Sequence, residues 1–267
     1  MTWNILASEW INPSYYPKIK KKTLLNRMSR CNTIIEHIVN TDADIILLQE
    51  VMQMEYDLIC QKLKSKYNIT PLSPIEWQYL NENKNRNESG NITCIRKGIR
   101  HGSISHHKLD FGIYTTISDI SILNIHLDDW SSQSRHKQIK SIDELLYKTK
   151  KCIIGGDFNQ HYTKDTKLYK LPQFTVHNTK CPTYYIEENK NLDNILSRGF
   201  DNIARPLPSS SNYLFYIDPL LQNRGTPMIE AYHRNIFDYK CNEDISDTPE
   251  NIFIKYGSDH IPVIIEI

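Results

Sequence analysis

With 267 residues, 39% of them hydrophobic and 24% charged, the chain is too apolar to stay disordered and long enough to bury a sizeable core. Its net charge of +1 says little about partners, because overall neutrality can hide local patches; the clusters Lys18, Lys20, Lys21, Lys22 and Lys148, Lys150, Lys151 read as solvated faces. Six widely spaced cysteines without a C-x-x-C pair, no run near the ~18 apolar residues of a membrane span, and no basic-then-apolar opening argue against a disulfide scaffold, a zinc ribbon, a spanning protein and an exported one. The expectation is one domain over residues 1–267 with free thiols, intracellular, in cytoplasm or nucleus.

The chain opens with Thr2-Trp3-Asn4-Ile5-Leu6, a β-prone run in which Asn4 either caps a backbone group or reaches a site. From Leu24 to Val39 the apolar set Met28, Cys31, Ile35, Ile38 steps by three and four, predicting an amphipathic helix packed on a sheet. Ile45-Ile46-Leu47-Leu48 predicts a strand covered on both faces, and Glu50 at its end is either solvated at the rim or a metal ligand. A second helix is expected from about Met54 to Leu63, then a polar loop from Asn81 to Ser89. Two strands should bracket a loop from Gly98 to Asp110; its His101, His106 and His107 have no cysteine or carboxylate at ligand spacing and read as solvated. Ile120 to Ile125 predicts another strand, ending in His126-Leu127-Asp128-Asp129, and a helix from about Ser134 to Tyr147 puts Arg135 and Gln138 on one face.

That helix leads into Cys152 to His161, CIIGGDFNQH, read as a buried strand whose glycines let the backbone turn sharply and let another group approach, lifting Asp157 and Asn159 to the sheet edge. Tyr169 to Cys181 reads as loop and Pro182 to Ile186 as strand-like. Asn191-Leu192-Asp193-Asn194-Ile195-Leu196 then places an acid inside an apolar run, so Asp193 needs a partner. Residues Arg205 to Phe253 show no clear periodicity and read as an insertion, before Asp259 and His260 at the mouth of a terminal buried strand, Ile261 to Ile265.

Asn4, Glu50, His126, Asp157, Asn159, Asp193, Asp259 and His260 thus all fall at or beside the ends of apolar strands. Independent rim residues would include Lys, Ser and Thr, whereas this set holds only oxygen donors and imidazoles, the groups that metal-assisted phosphoryl transfer requires. In order, TWNIL, IILLQEV, NIHL, GGDFN, LDNIL and GSDHIPV resemble the motifs of the endonuclease/exonuclease/phosphatase superfamily over nearly the whole chain. TWNILAS with its Pro/Tyr loop, the helix with Arg30 and Ile34, and DADIILLQEV followed by Tyr56 look nearest to the CCR4, nocturnin and Angel exonuclease group. HLDD, the Arg135 and Gln138 spacing and the GD-x-N turn are similar to the tyrosyl-DNA phosphodiesterase 2 group. Asn194 after Asp193, Tyr184-Tyr185, and the long Asp193-to-Asp259 interval depart from the exonuclease pattern and leave substrate choice open.

The resemblance implies a four-layer α/β sandwich of two mixed β-sheets flanked by helices, DNase I-like. It implies a Mg2+-dependent phosphodiester hydrolase, with Mn2+ as a substitute, most simply a 3′-5′ exonuclease of deadenylase type acting on single-stranded RNA. A tyrosyl-DNA phosphodiesterase 2-like repair activity, or a phosphoinositide or sphingolipid phosphohydrolase, is the alternative. Glu50, with Asn4 and Asp259, would hold the ion, which keeps several waters for the phosphate to displace. Asp157 and Asn159 would orient or deprotonate the attacking water. His260 would be general base or cationic stabiliser, oriented by Asp193. His126 would donate to a non-bridging phosphate oxygen, with Arg135 beside it at the substrate.

Overall fold

The computed structural model describes residues 1–75, 89–99, 103–160, 171, 173–177, 184, 192–200 and 249–265. Residues 205–248 of the insertion expected at 205–253, most of the polar Asn81 to Ser89 loop, and all but Tyr184 of the strand-like Pro182 to Ile186 lie outside the described residues.

Two mixed sheets stack face to face. In the first, β1 (Thr2–Asn4) runs parallel to β2 (Ile45–Val51), and β5 (Gly90–Arg96) runs antiparallel to β2, to β3 (Tyr67–Ile69) and to β4 (Ser73–Pro74). The second has the order β10-β11-β9-β8-β7-β6, formed by β6 (Ile104–Leu109), β7 (Gly112–Ile117), β8 (Ile120–His126), β9 (Lys151–Asp157), β10 (Thr175–His177) and β11 (Asp193–Arg198); only β8 and β9 pair in parallel. Leu47, Ile95, Ile122, Ile153, Ile195 and Val263 form the core shared by the inner faces.

Helices cover the outer faces. A short α1 (Lys21–Leu24) precedes α2 (Arg27–Thr41), whose first turn is capped by the Asn26 side chain accepting from the Ser29 N–H. Cys31, Ile34, Ile35 and Ile38 of α2, with Ile59 and Leu63 of α3 (Gln53–Leu63), pack on Trp3, Ile46 and Leu48. On the other side Ile139, Ile142 and Leu146 of α4 (Ser132–Leu146) pack on Leu123, Ile125 and Ile154. The last described helix is α5 (Pro249–Tyr256). Helix, sheet, sheet, helix is the four-layer sandwich that the resemblance implies; α2 and α4 each turn one apolar stripe to a sheet, and the strands between them are covered on both faces.

Met28, expected on the sheet-facing stripe of α2, is instead exposed. Three further local expectations change. Residues 104–109 form strand β6 rather than loop; the strand pairs only with β7 and leaves His106 and His107 exposed, so no apolar alternation betrays it. Thr175–His177 is likewise a short strand inside the expected Tyr169 to Cys181 loop. Conversely, Ile261 to Ile265 makes a single bridge, with Val263 and Thr2 exchanging backbone bonds of 2.9 Å in both directions. Pro262 has no N–H to extend that ladder.

Between the sheets, directly behind the strand ends, lies a buried amide network. Gln49 Nε2 donates to Asn124 Oδ1 at 2.7 Å and to Thr2 Oγ1 at 3.1 Å, while Asn124 Nδ2 donates to Ile92 O at 2.7 Å and Leu48 O at 3.2 Å. Asn91 Nδ2 adds a bond of 3.2 Å to Asn124 Oδ1. The network fixes β2 of one sheet against β8 of the other, and those strands carry Glu50 and His126.

Candidate functional site

In the second sheet, register alone aligns three site residues. Parallel β8 and β9 put His126 opposite Asp157, and antiparallel β11 puts Asp193 opposite Asp157 on its other side. The spacing of β8 to β9 depends on Gly156: a Cβ there would stand 1.9 Å from the Ile125 carbonyl oxygen. This is the close approach expected of the double glycine. Past the strand end Asn159, left-handed at φ 48, turns its backbone N–H back to Asp157 Oδ1 at 2.8 Å, and its Nδ2 donates to Leu127 O at 2.8 Å.

The first sheet places its residues differently. β2 bulges between Leu48 and Val51, and Glu50 sits there at φ 57. Its Oε1 accepts from Asn4 Nδ2 at 2.8 Å and its Oε2 from the Ala7 N–H at 2.8 Å. Asn4 Oδ1 is occupied by the Leu6 N–H at 3.0 Å, which turns the amide nitrogen toward the acids, where it also donates to Asp157 Oδ2 at 3.0 Å.

Asp157 Oδ2 is therefore a hub. Besides Asn4, it lies 3.8 Å from His260 Nε2 and 3.9 Å from His126 Nε2, and His126 Nε2 is also 3.9 Å from Glu50 Oε1. Behind it, His260 Nδ1 meets Asp193 Oδ2 at 2.7 Å, so the buried acid in the LDNIL run has its partner. Burial by itself would lower the His260 pKa, but Asp193, backed by Asp259 and Asp157, holds it well above the usual histidine value. The Tyr184 ring lies 5.1 Å from the His260 ring and its backbone bridges to His260.

Asp259 is buried beside this pair and accepts from Tyr16 Oη at 3.1 Å. Burial pushes its carboxyl pKa up, against the opposing pull of His260 and of the Tyr16 hydrogen bond. Burial, with Asp259 next, also raises the Tyr16 phenol. Nothing local in the sequence linked Tyr16 to Asp259. Arg135, expected at the substrate, directs Nη1 to the carbonyls of Asp128 at 2.7 Å and Asp129 at 3.2 Å, so its described contacts brace the loop after His126 rather than join the acid cluster.

Two places in this constellation have metal-ligand character. One ligand atom each from Asp157, Asp193 and His260 falls within 4.8 Å of the others, yet Asp193 and the Nδ1 edge of His260 already satisfy each other. Glu50 is the more accessible acid, its side chain 14% exposed against 2% for Asp157 and 0% for Asp193. A hard divalent ion that keeps water ligands fits the Glu50 and Asp157 oxygens, which converge on one imidazole nitrogen and whose mutual repulsion it would relieve.

The chain matches the Endonuclease/Exonuclease/phosphatase family over residues 1–260. A search of curated proteins finds no match. Among solved structures, ANGEL2, a 2′,3′-cyclic phosphatase in complex with adenosine-2′,3′-vanadate, superposes at TM-score 0.55 and 14% identity over 74% of this chain and 82% of that one. A humanized D. rerio TDP2 gives TM-score 0.52 and 14% identity over 75% and 83%, and the human Nocturnin catalytic domain with bound sulfate gives 0.50 and 16% over 73% and 80%. At such identities these likenesses speak for the fold. With the match to nearly its whole length, the chain belongs to the endonuclease/exonuclease/phosphatase family, whose members hydrolyse phosphoester bonds.

Proposed function

We propose that the protein is a Mg2+-dependent phosphodiester hydrolase acting on nucleic acid, in the first place at the 3′ end of single-stranded RNA. The observation that carries the hydrolase reading is the hub at Asp157 Oδ2, where an amide donor, two imidazoles and a second carboxylate converge within 3.9 Å or through shared partners, and the choice of RNA rests on the motif resemblance to the exonuclease group. When bound, Mg2+ (or Mn2+) would act as a Lewis acid on the phosphoryl oxygens. Glu50 would be its principal ligand and Asp259 a further one, while Asn4, whose nitrogen faces the acids, would hold Glu50 and Asp157 in place.

Asp157, its Oδ1 fixed by the Asn159 N–H, orients the attacking water and takes its proton. His260 is kept cationic by Asp193 and presents Nε2 toward the in-line phosphorane-like state, where a positive donor stabilises the growing charge. His126 donates to a non-bridging oxygen from the other side. Arg135 contributes by bracing the Asp128 to Ser131 turn at the rim. The same proposal includes a single domain over 1–267 and an intracellular location, for which the support is that the cysteines among the described residues are free thiols. Among the described residues no helix is long and apolar enough to cross a membrane.

The test is a panel with Mg2+: end-labelled poly(A), mixed-sequence RNA, RNA ending in a 2′,3′-cyclic phosphate, single-stranded DNA, a 5′-tyrosyl DNA, a phosphoinositide and sphingomyelin. The RNA reading predicts a ladder shortening from the 3′ end of the RNAs. The cyclic-phosphate arm is included because ANGEL2, similar in fold, is a 2′,3′-cyclic phosphatase. Turnover confined to the tyrosyl DNA or the lipids would overturn the RNA assignment while leaving the phosphodiester chemistry in place.

A further inference from the structure

Arg30 is a buried cation, 5% exposed, to which the chemistry above gives no part. It projects from α2 and joins two pieces of the site that are distant in sequence. Nη2 donates to Ile5 O at 3.0 Å and Leu6 O at 2.6 Å, and Nε donates to Gly257 O at 2.7 Å. Nη1 adds Ser8 Oγ at 3.4 Å, and the guanidinium lies 5.5 Å from the Phe253 ring centroid. Burial lowers the Arg30 pKa, and Asp259, Glu55, Tyr16 and Glu50 push it back up.

The carbonyls it holds belong to unusual backbone. Leu6 is left-handed at φ 55, a conformation that is strained for a residue with a side chain. That same turn sends the Leu6 N–H to Asn4 Oδ1 and the Ala7 N–H to Glu50 Oε2. Gly257, at φ 72, opens the turn that delivers Ser258, Asp259 and His260. Ser258 Oγ then donates to Asn4 O at 2.9 Å and accepts from the His260 N–H at 3.1 Å, which closes the connection on the far side. A rigid planar fork of donors can hold two such turns at a fixed separation; a single ammonium cannot.

We propose that Arg30 is a positioning residue that clamps the Glu50 half of the site to the His260 half. It touches neither substrate nor ion. Its effect passes through Leu6 and Ala7 to the Glu50 carboxylate and through Gly257 to His260. The inference rests on the reading of Glu50 as ligand and of His260 as acting at the phosphate.

Arg30→Lys keeps the charge and loses the fork. Mg2+ affinity, read by calorimetry without substrate, and turnover of a small phosphodiester should each fall about 10–100-fold, the range seen when groups that orient metal ligands are removed, with KM little changed. Gly257→Ala attacks the clamp from the other side, because its Cβ would stand 2.8 Å from the Arg30 carbonyl oxygen; it should lower turnover about tenfold and Mg2+ affinity less. Ile142→Val, in the α4 core, should lower the melting temperature without moving either quantity. Arg30→Lys within twofold of wild type in both readouts overturns the proposal. So does Gly257→Ala, folded, with normal turnover, which also decides the matter if Arg30→Lys does not fold. A wild-type protein that binds no Mg2+ and hydrolyses no phosphodiester sinks the functional reading and the clamp together; a competent wild type with indifferent variants sinks the clamp alone.

Discussion

The two sheets reach the same site by different means. In the second, His126, Asp157 and Asp193 are aligned by ladder register, so each is placed by its neighbours' backbone bonds along a whole strand. In the first, Asn4 and Glu50 are placed by a bulge, two left-handed residues and side-chain braces from Gln49 and Arg30. Regular pairing is cooperative and hard to deform, whereas the braced half stores strain and depends on single side chains. Substitutions in the second sheet should therefore act through chemistry or through collapse of the sheet. In the first they should act through geometry.

The sharpest break is Glu50→Gln, which keeps the shape of the braced half and removes its charge. Turnover should fall on the order of 10³-fold or more, with a cooperative melting transition retained. Steady-state kinetics beside a thermal melt checks both halves of that statement, and near-normal turnover would remove Glu50 from the proposed metal site.

Next come Asp193→Asn and His260→Ala, which test whether the hydrogen-bonded pair works as a unit. Each should cost ~10²- to 10⁴-fold, and the double variant should be little worse than the harsher single. Asp193→Asn also removes the charge that raises the His260 pKa, so the limb of the pH profile reporting the imidazole should move to lower pH. Multiplicative losses with an unmoved limb would separate the two residues. The same pair bears on stability. Its folded pKa lies above the ~6.5 of an unfolded histidine, so its stabilising effect is fully present below about pH 6.5 and is lost as pH rises through the folded value. The melting-temperature gap between wild type and His260→Ala should accordingly narrow toward alkaline pH.

Gly156→Ala probes the ladder itself. Its Cβ would collide with the Ile125 carbonyl, and a loss of about 3 kcal/mol in denaturant unfolding is expected. Smallest is Asn124→Leu, which leaves Gln49 and Asn91 amides without their shared acceptor and should cost ~1–3 kcal/mol. Because that network backs Glu50, a further loss of Mg2+ affinity is expected there and not in Gly156→Ala variants that remain folded.

What the sequence made legible follows the same division. Glu50, His126, Asp157, Asp193 and His260 could be found because each is a polar group where an apolar run stops, and a buried acid such as Asp193 demands a partner. Its partner lay 67 positions away, and only chemistry linked the two. The braces were harder to see. Arg30 shares the buried face of α2 with Ile34 and Ile38; the helix carrying Arg30 and Ile34 entered the family resemblance, but nothing in its spacing said which backbone groups the guanidinium would hold. Tyr16 lies in a loop whose aromatic residues gave no hint of which one turns inward to Asp259. Strand β6 escaped notice because an exposed edge strand needs no apolar alternation, and the terminal strand was overread because Pro262 permits one bridge where the apolar run suggests several.

In the proposed function, the converging acids hold a divalent ion that phosphodiester hydrolysis requires. The direct measurement is hydrolysis of end-labelled single-stranded RNA by wild-type protein stripped with EDTA and then titrated with Mg2+. The expected result is no turnover after stripping and a saturable return with added Mg2+, with Mn2+ able to replace it. Turnover that persists in excess EDTA would contradict it.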